Sequence, residues 1–512
     1  MSSTSQFSLL VQRRFLPFFS TQFLGALNDN IFRNGLVTLI TFQGIAILGM
    51  DHTILANVAA FLFTLPFFLF SATAGQFADK YEKSMLMRRI KLLEVGLMSF
   101  AAIALLTRQY SLLLFVLFLM GCQSALFGPV KYAYLPQKLH TDKLVGGNAL
   151  VEAGTYIAII VGLIIGVEVV DFESDRQAIL AFVLVGVSCI GYLASRQVPI
   201  TEAVDPSLKI NFNTWQETWK IVRFAREEKS VFISILGISW FWFFGSAMTI
   251  QMPAYAADII NGNESVITFF LVAFAVGVGL GSLLCERMSG HRIELGLVPF
   301  GSIGMSVFAI DLYFAQPEAA GAAVESVADF ISRSGSWRIL LDLTLLGVFS
   351  GFYSVPLYAL IQKRSRRQHL SRIVAANNII NALFMVGAVV FSIIILKLGF
   401  SIPELFLFIA ALNAVVAIYI YSMLPEFLIR FLAWLIISVV YRIHPLGIES
   451  IPKAGPAVVV CNHVSFMDPI ILGSSVSRPM RFVMHYKIFK IPFLSFIFRN
   501  TQAIPIASKS ED

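Results

Sequence analysis

A histidine and an aspartate near the end of the chain have the types and spacing needed for proton transfer. His463 and Asp468 are separated by four residues within the run from Asn462 to Pro469. Histidine is suited to act as a general base because its ordinary pKa lies close to neutral pH. A carboxylate behind it fixes the ring tautomer and stabilises the imidazolium that forms. The pair therefore predicts a base that takes the proton from a substrate hydroxyl group.

The residues around this pair predict the elements that position it. The apolar run 457–461 is rich in valine, which indicates a buried strand ending just before His463. Pro469 is typical of the first turn of a helix, so Asp468 should stand at a helix start. A loop between the two elements can bring both side chains together. The alternative is that Asp468 only caps the helix and His463 is an ordinary loop residue.

A second set of polar residues lies inside long apolar segments, where ionisable side chains are costly and therefore indicate function. Spacings of three and four place residues on one helix face in three segments: Asp29 with Arg33, Asn148 with Glu152 and Thr155, and Asn377 with Asn381. Asn28 and Asn30 flank Asp29 in the sequence. These faces predict the lining of a central cavity. The alternative is a structural pair of Asp29 with Arg33, with the asparagines forming hydrogen bonds between helices. The candidate residues are Asn28, Asp29, Asn30, Arg33, Asn148, Glu152, Thr155, Asn377 and Asn381.

The composition predicts an integral membrane protein. Of the 512 residues 57% are hydrophobic and 13% charged, whereas about 25% of residues are charged in a typical soluble domain. The net charge of +7 is explained by basic residues in short loops, so no nucleic-acid partner is predicted. The four cysteines stand singly in apolar stretches, which predicts small buried side chains and no metal site.

About twelve apolar segments approach the ~20 residues that a membrane-spanning helix needs. The polar stretch 197–230 divides them into six and six. The predicted spans cover approximately 15–42, 54–74, 92–106, 112–126, 149–170, 178–193, 231–253, 266–284, 295–314, 339–361, 373–396 and 401–424.

Basic residues collect in alternate loops, which predicts that these loops and both termini are cytoplasmic. His463 would then be cytoplasmic as well. The loop after the second predicted span is assigned five basic residues: Lys80, Lys83, Arg88, Arg89 and Lys91.

A loop pattern recurs in both halves of the chain and indicates an internal repeat. A small residue is followed by an acid and a base after the second span and again after the eighth. A glycine lets two helices approach closely, and an acid can meet a helix N-terminus, so this loop can hold one face of the protein shut. The alternative is a solvated charged loop. The motif residues are Gly75, Asp79, Lys80, Lys83, Glu286 and Arg287.

Two six-helix halves with this loop are similar to the major facilitator superfamily. Within it, the runs 23–34, 127–132, 135–136 and 147–155 resemble the bacterial lysophospholipid transporters. The resemblance implies movement of lysophospholipids, such as lysophosphatidylethanolamine, to the inner leaflet of the bacterial cytoplasmic membrane. It also implies that Asp29 with its asparagine neighbours, Lys131 and Glu152 contact the headgroup, while phenylalanines accommodate the acyl chain.

The segment from Phe427 onward resembles the glycerolipid acyltransferases of the lysophosphatidate acyltransferase type, with 462–469 as their first motif. The resemblance implies that His463 and Asp468 are catalytic and that acyl-CoA or acyl carrier protein donates the acyl group. Gln502 stands where that family usually has glycine, and a Phe-Pro-Glu-Gly motif is expected further downstream. We therefore expect this segment to be either the front part of a longer fusion protein or a relic of an acyltransferase domain.

The sequence as a whole predicts an all-α polytopic membrane protein followed by a truncated α/β segment. The major facilitator domain is expected at 1–425, with halves at about 10–196 and 230–425. An incomplete acyltransferase domain with a membrane-interface helix follows at 426–512. The expected function is lysophospholipid transport coupled to re-acylation, without a bound cofactor. The alternatives are an exporter of drugs or small metabolites with an inert tail, and a membrane-embedded acyltransferase whose helices only present lipid.

Overall fold

A computed structural model provides the coordinates of the protein. It describes residues 5–42, 52–171, 176–289, 293–315 and 326–423. Of the tail it describes 432, 435–436, 440–441, 443, 446–447, 450–452, 455–476, 480–492 and 494–507. The residues divide into two compact units, one formed by 1–293 with 301–414 and the other by 294–300 with 415–512.

Each predicted span corresponds to a long helix, so the predicted fold class is confirmed. Most helices run several residues past the predicted apolar core, because Lys, Arg and Glu are compatible with helix at a charged end. The helices are α1 Leu16–Phe42, α2 His52–Lys80, α3 Lys83–Leu106, α4 Tyr110–Lys138, α5 Leu144–Asp171, α6 Arg176–Arg196, α7 Thr214–Glu227, α8 Lys229–Ala254, α9 Glu264–Met288, α10 Leu297–Phe314, α11 Val327–Ser332, α12 Ser336–Arg364, α13 Leu370–Lys397 and α14 Ile402–Met423.

Ten of the described helices are long and apolar enough to cross a membrane. Helices α1 and α3 have 27 and 24 residues, which is also sufficient length, but polar and charged side chains lower their hydropathy. Within the first half α1 packs on α5 and α6, α2 on α4, and α3 on α6. The two halves meet where α2 packs on α13 and α5 packs on α9 and α12.

The polar stretch between the halves contains helix α7, which the sequence analysis did not predict. Ile221 and Ala225 are fully buried on one face of this helix. Ile221 belongs to an apolar cluster with Ala72 of α2 and with Ala375 and Ile379 of α13. The stretch is therefore packed against both halves instead of forming a free linker.

The tail contains short elements: helices α15 Asp468–Ser475, α16 Tyr486–Phe489 and α17 Leu494–Asn500, and strands β1 Val483–His485 and β2 Ile504–Ile506. The two strands are parallel, with Val483 opposite Ile504 and His485 opposite Ile506. Most of the predicted membrane-interface helix at 427–442 lies outside the described residues.

The prediction of a buried strand at 457–461 is wrong. These residues have no regular secondary structure, and Val458 and Val460 are 92% and 87% exposed. Cys461, predicted to be buried, is exposed as well. A strand needs a neighbour to accept and donate its backbone hydrogen bonds, and the only described strand pair joins β1 to β2.

Candidate functional site

Asp29 lies in the middle of α1 and faces α4. Its Oδ2 atom accepts a hydrogen bond of 2.6 Å from Ser124 Oγ. Arg33, one turn further along, donates to Asn30 Oδ1 at 2.9 Å and lies over the ring of Phe63 at 5.8 Å from its centroid. Within this described region Asp29 and Arg33 therefore have different hydrogen-bond partners.

A buried network adjoins Asp29 and was not found from the sequence. Lys91 Nζ and Glu94 Oε2 are 2.5 Å apart, and both side chains are 1% exposed. Glu94 also accepts from Asn28 Nδ2 at 3.2 Å and from Gln123 Nε2 at 3.0 Å. The assignment of Lys91 to a basic loop is thus wrong, because an acid three residues later pairs with it inside the helix. That spacing of a lysine and a glutamate within an apolar run was the available signal.

Glu152 on α5 belongs to a second polar group that reaches across the halves. Tyr132 OH donates to Glu152 Oε1 at 2.6 Å, and Lys131 Nζ lies 4.6 Å from the centroid of the Tyr132 ring. The Tyr132 ring stacks on Tyr358 of α12, with centroids 4.7 Å apart and planes 2° apart. A cation, an acid and two aromatic faces are thereby brought together.

Asn148 and Thr155 flank this group on α5. The Asn148 side chain exchanges two hydrogen bonds with Gln362 of α12, at 2.7 and 3.0 Å. Thr155 Oγ1 donates to Gln22 Oε1 of α1 at 3.1 Å. The side chains of Asn148 and Gln362 are both buried, so this pair lies within the contact between α5 and α12.

The asparagines of α13 form a third group with α8. In the orientation that satisfies both ends of its amide, Asn381 accepts from Asn377 Nδ2 at 3.0 Å and from Trp242 Nε1 at 3.2 Å, and it donates to Ser239 Oγ at 2.8 Å. Trp242 Nε1 also lies 3.4 Å from Tyr358 OH. Hydrogen bonds and one ring stack therefore connect Asn381 to the Glu152 group.

The loop motif lies at the end of the bundle where α2 ends and α3 begins, which we call the basic end. Arg372 Nε donates to Asp79 Oδ2 at 2.8 Å, so the first half is tied to the first turn of α13. Gly75 lies against Ala375 and the backbone of Ser371, where a larger side chain would collide. Lys83 is buried at the start of α3, and Lys80 lies 5.7 Å from the centroid of the Tyr81 ring.

Glu286 occupies the equivalent position in the second half. Its carboxylate lies against Gly146 in the first turn of α5 and accepts from the backbone N–H of Gln6 at 3.1 Å. Arg287, next to it, is exposed. A carboxylate is favourable at a helix N-terminus because the peptide dipoles point their positive ends there. An acid from each half thus meets the first turn of a helix in the other half, so the two halves are in contact at the basic end.

His463 and Asp468 adopt the geometry expected of a base and its orienting carboxylate. Their Nδ1 and Oδ2 atoms are 2.9 Å apart, and the side chain of His463 is 67% exposed. Backbone N–H groups of Ser465 and Val464 donate to Asp468 Oδ2 at 2.8 and 2.7 Å, and with His463 they hold the pKa of this carboxyl below its ordinary value. Asp468 stays ionised and favours the tautomer that leaves His463 Nε2 to accept a proton.

The fold, with its two six-helix halves in contact at the basic end, is that of a major facilitator transporter. The family model described as "Transmembrane secretion effector" matches residues 50–339, more than half of the chain, and the chain belongs to this family. A second model, described as "Acyltransferase", matches residues 442–512.

Curated relatives carry the name "Lysophospholipid transporter LplT". The protein of Klebsiella pneumoniae is 25% identical over 359 residues, which cover 66% of this chain and 83% of the relative. That of Serratia proteamaculans is 25% identical and covers 70% and 82%. That of Photorhabdus laumondii is 24% identical and covers 60% and 70%.

Solved structures share the fold. The human organic anion transporter MFSD10 superposes with a TM-score of 0.60 at 12% identity, covering 79% of this chain and 99% of the other. The major facilitator transporter FucP in the outward conformation gives 0.58 at 13% identity, covering 80% and 98%. The multi-pass major facilitator architecture is thereby established.

Proposed function

We propose that the protein moves lysophospholipids to the inner leaflet of a bacterial cytoplasmic membrane. The observation that carries the proposal is the relationship to proteins named lysophospholipid transporters, which extends over most of their length. In this proposal the basic end and both termini are cytoplasmic, because the basic loops collect there.

The chemistry of the polar groups suits a zwitterionic lipid headgroup. Asp29 and Glu152 supply negative charge, while Arg33 and Lys131 supply positive charge that can hydrogen-bond a phosphate. The stacked rings of Tyr132 and Tyr358 add aromatic surface beside these charges. Ionisable side chains inside membrane spans are rare without a functional reason.

The test is movement of labelled lysophosphatidylethanolamine in proteoliposomes. We expect Asp29→Asn to reduce the transport rate at least tenfold, because the change removes one charge while keeping the side-chain shape. Asp258→Asn is the matched control, since Asp258 is exposed just after α8, and it should transport normally. No lipid movement by the unmodified protein, combined with efflux of small cations, would favour an exporter.

A second activity is favoured by the tail: transfer of an acyl group to the imported lysophospholipid. The supporting observation is the His463–Asp468 pair, located within the residues that the acyltransferase model matches. His463 would take the proton from the lipid hydroxyl while that oxygen attacks the thioester of acyl-CoA or acyl carrier protein. The carbon–sulfur bond breaks, the thiol leaves, and the proton passes to it.

The acyl transfer is tested with the purified full chain, lysophospholipid and labelled acyl-CoA or acyl carrier protein. We expect His463→Ala to lose nearly all product formation and Asp468→Asn to lose most of it, because the amide cannot stabilise an imidazolium. His485→Ala is the control, since it removes a second tail histidine outside the motif. Equal rates for His463→Ala and the unmodified chain would exclude catalysis by this histidine.

A further inference from the structure

Helix α7 and the segment before it are held against α2 by hydrogen bonds and a ring contact. The side chain of Gln76 donates to the carbonyl of Asn211 at 2.9 Å and accepts from its backbone N–H at 2.7 Å. The rings of Phe68 and Trp215 meet edge to face with centroids 5.8 Å apart. The segment before α7 thus follows α2 from Gln76 toward the middle of that span.

The outer face of α7 is aromatic and uncovered. Trp215 and Trp219 are four residues apart, so they share a helix face, and they are 72% and 73% exposed. Phe212, just before the helix, is also 73% exposed. The opposite face carries Ile221 and Ala225 and is buried. Contiguous exposed apolar surface of this kind marks a binding site for a partner or a membrane.

A groove of about 390 Å³ opens between this aromatic face and α2. Its lining includes Phe68 and Phe70 of α2 and Phe212, Trp215 and Thr218 of the α7 segment. The volume lies in the range of about 300–1,000 Å³ that is typical of small-molecule sites. The lining is mostly apolar, so the groove suits a hydrocarbon chain better than a charged group.

The position of the groove along α2 identifies its occupant. Phe68 lies ~18 Å along the helix axis from Lys80, at a rise of about 1.5 Å per residue. The hydrocarbon layer of a bilayer is about 30 Å thick. A groove at this position along α2 therefore lies among the acyl chains of the lipids.

We propose that the groove between α2 and α7 binds an acyl chain of a bilayer phospholipid, with Trp215 and Trp219 in contact with the lipid. This site is separate from the transport residues and does not depend on the proposed function. Because Ile221 on the other face of α7 packs against both α2 and α13, the bound lipid rests on the helix that covers this junction of the two halves.

Quenching of tryptophan fluorescence by phospholipids with brominated acyl chains tests the proposal in proteoliposomes. We expect the lipid-quenched signal to fall clearly when Trp215→Phe and Trp219→Phe are combined. Trp240→Phe is the control, because Trp240 is buried in the second half at 5% exposure. Quenching of Trp215 and Trp219 fluorescence by aqueous iodide, without quenching by the brominated phospholipids, would overturn the proposal. Quenching by neither would show that protein, such as a second copy of the chain, covers this face.

Occupancy of the groove is tested separately by native mass spectrometry of the protein released from lipid nanodiscs. Thr218→Trp fills the groove and should remove one retained phospholipid. Arg223→Trp is the matched control, since Arg223 is exposed on the same helix but does not line the groove, and it should retain that lipid. Equal retention by both variants would contradict binding within the groove.

Discussion

Lys91 and Glu94 form a buried ion pair in which each side chain is 1% exposed. Two such charges are tolerated inside a protein only when they pair and their remaining polar atoms find partners. Glu94 satisfies this condition through Lys91, Asn28 and Gln123. Because Asn28 precedes Asp29, the network also fixes the part of α1 that carries the proposed headgroup contact.

Removing one partner of this pair should be far more costly than removing both charges. We expect Lys91→Met to lower the free energy of unfolding in detergent by about 3–5 kcal/mol, since it leaves Glu94 buried without its cation. Adding Glu94→Gln should restore much of that loss because the amide oxygen still accepts hydrogen bonds. Lys397→Met, at an exposed helix end, should change stability by less than about 0.5 kcal/mol. A double variant no more stable than Lys91→Met would contradict this account.

Backbone strain in the tail is concentrated at Gln502, which has a φ of +53°. Glycine reaches this left-handed region without steric cost, whereas other residues lose about 1–2 kcal/mol there. This is the position where the resembling acyltransferases usually carry glycine. We expect Gln502→Gly to slow amide hydrogen exchange in residues 494–507. Gln502→Ala keeps a Cβ atom and should show no such gain, so equal protection by both would argue against strain.

At the scale of elements, contact between α2 and α13 depends on the absence of a side chain at Gly75. A Cβ there would collide with Ala375 and with backbone atoms of Ser371 and Arg372, which cannot move without moving α13. We expect Gly75→Leu to separate the two helices and favour a state open at the basic end.

Spin labels at Arg89 and Arg367 measure this opening, because both positions are exposed near the basic end, one in each half. The labelled pair should move apart in Gly75→Leu. Gly96→Leu serves as the control, since nothing lies within 4 Å of a Cβ at Gly96. An unchanged distance in Gly75→Leu would mean that the contact with α13 does not hold the halves together.

The spans could be predicted from the sequence because a membrane helix must satisfy its own backbone and present apolar side chains, which leaves a long uniform signal. Helix α7 was not predicted because it lies in a polar stretch, and its apolar residues recur only at three- and four-residue spacing. The strand expected at 457–461 failed because pairing depends on a neighbouring strand that local sequence does not specify. Residue types marked Asp29 and Glu152 as candidates, but Ser124 and Tyr132, their partners, carry no charge that would reveal them.

At the scale of the whole molecule, one chain joins a membrane bundle to a segment that carries the His463–Asp468 pair. Linking two activities raises the effective concentration of the intermediate that passes between them. A lysophospholipid released into the inner leaflet would then be acylated before it diffuses away. The two proposed activities use different residues, so each can be removed without the other.

This separation predicts a specific pattern of loss in proteoliposomes supplied with acyl-CoA or acyl carrier protein on the tail side. His463→Ala should still move labelled lysophospholipid but form no diacyl product. Asp29→Asn should form product from lysophospholipid placed in the tail-side leaflet and lose it when the lipid starts in the opposite leaflet. Product formation by Asp29→Asn from both leaflets would show that acylation does not depend on transport by this chain. That result would contradict the coupling but neither of the two activities taken separately.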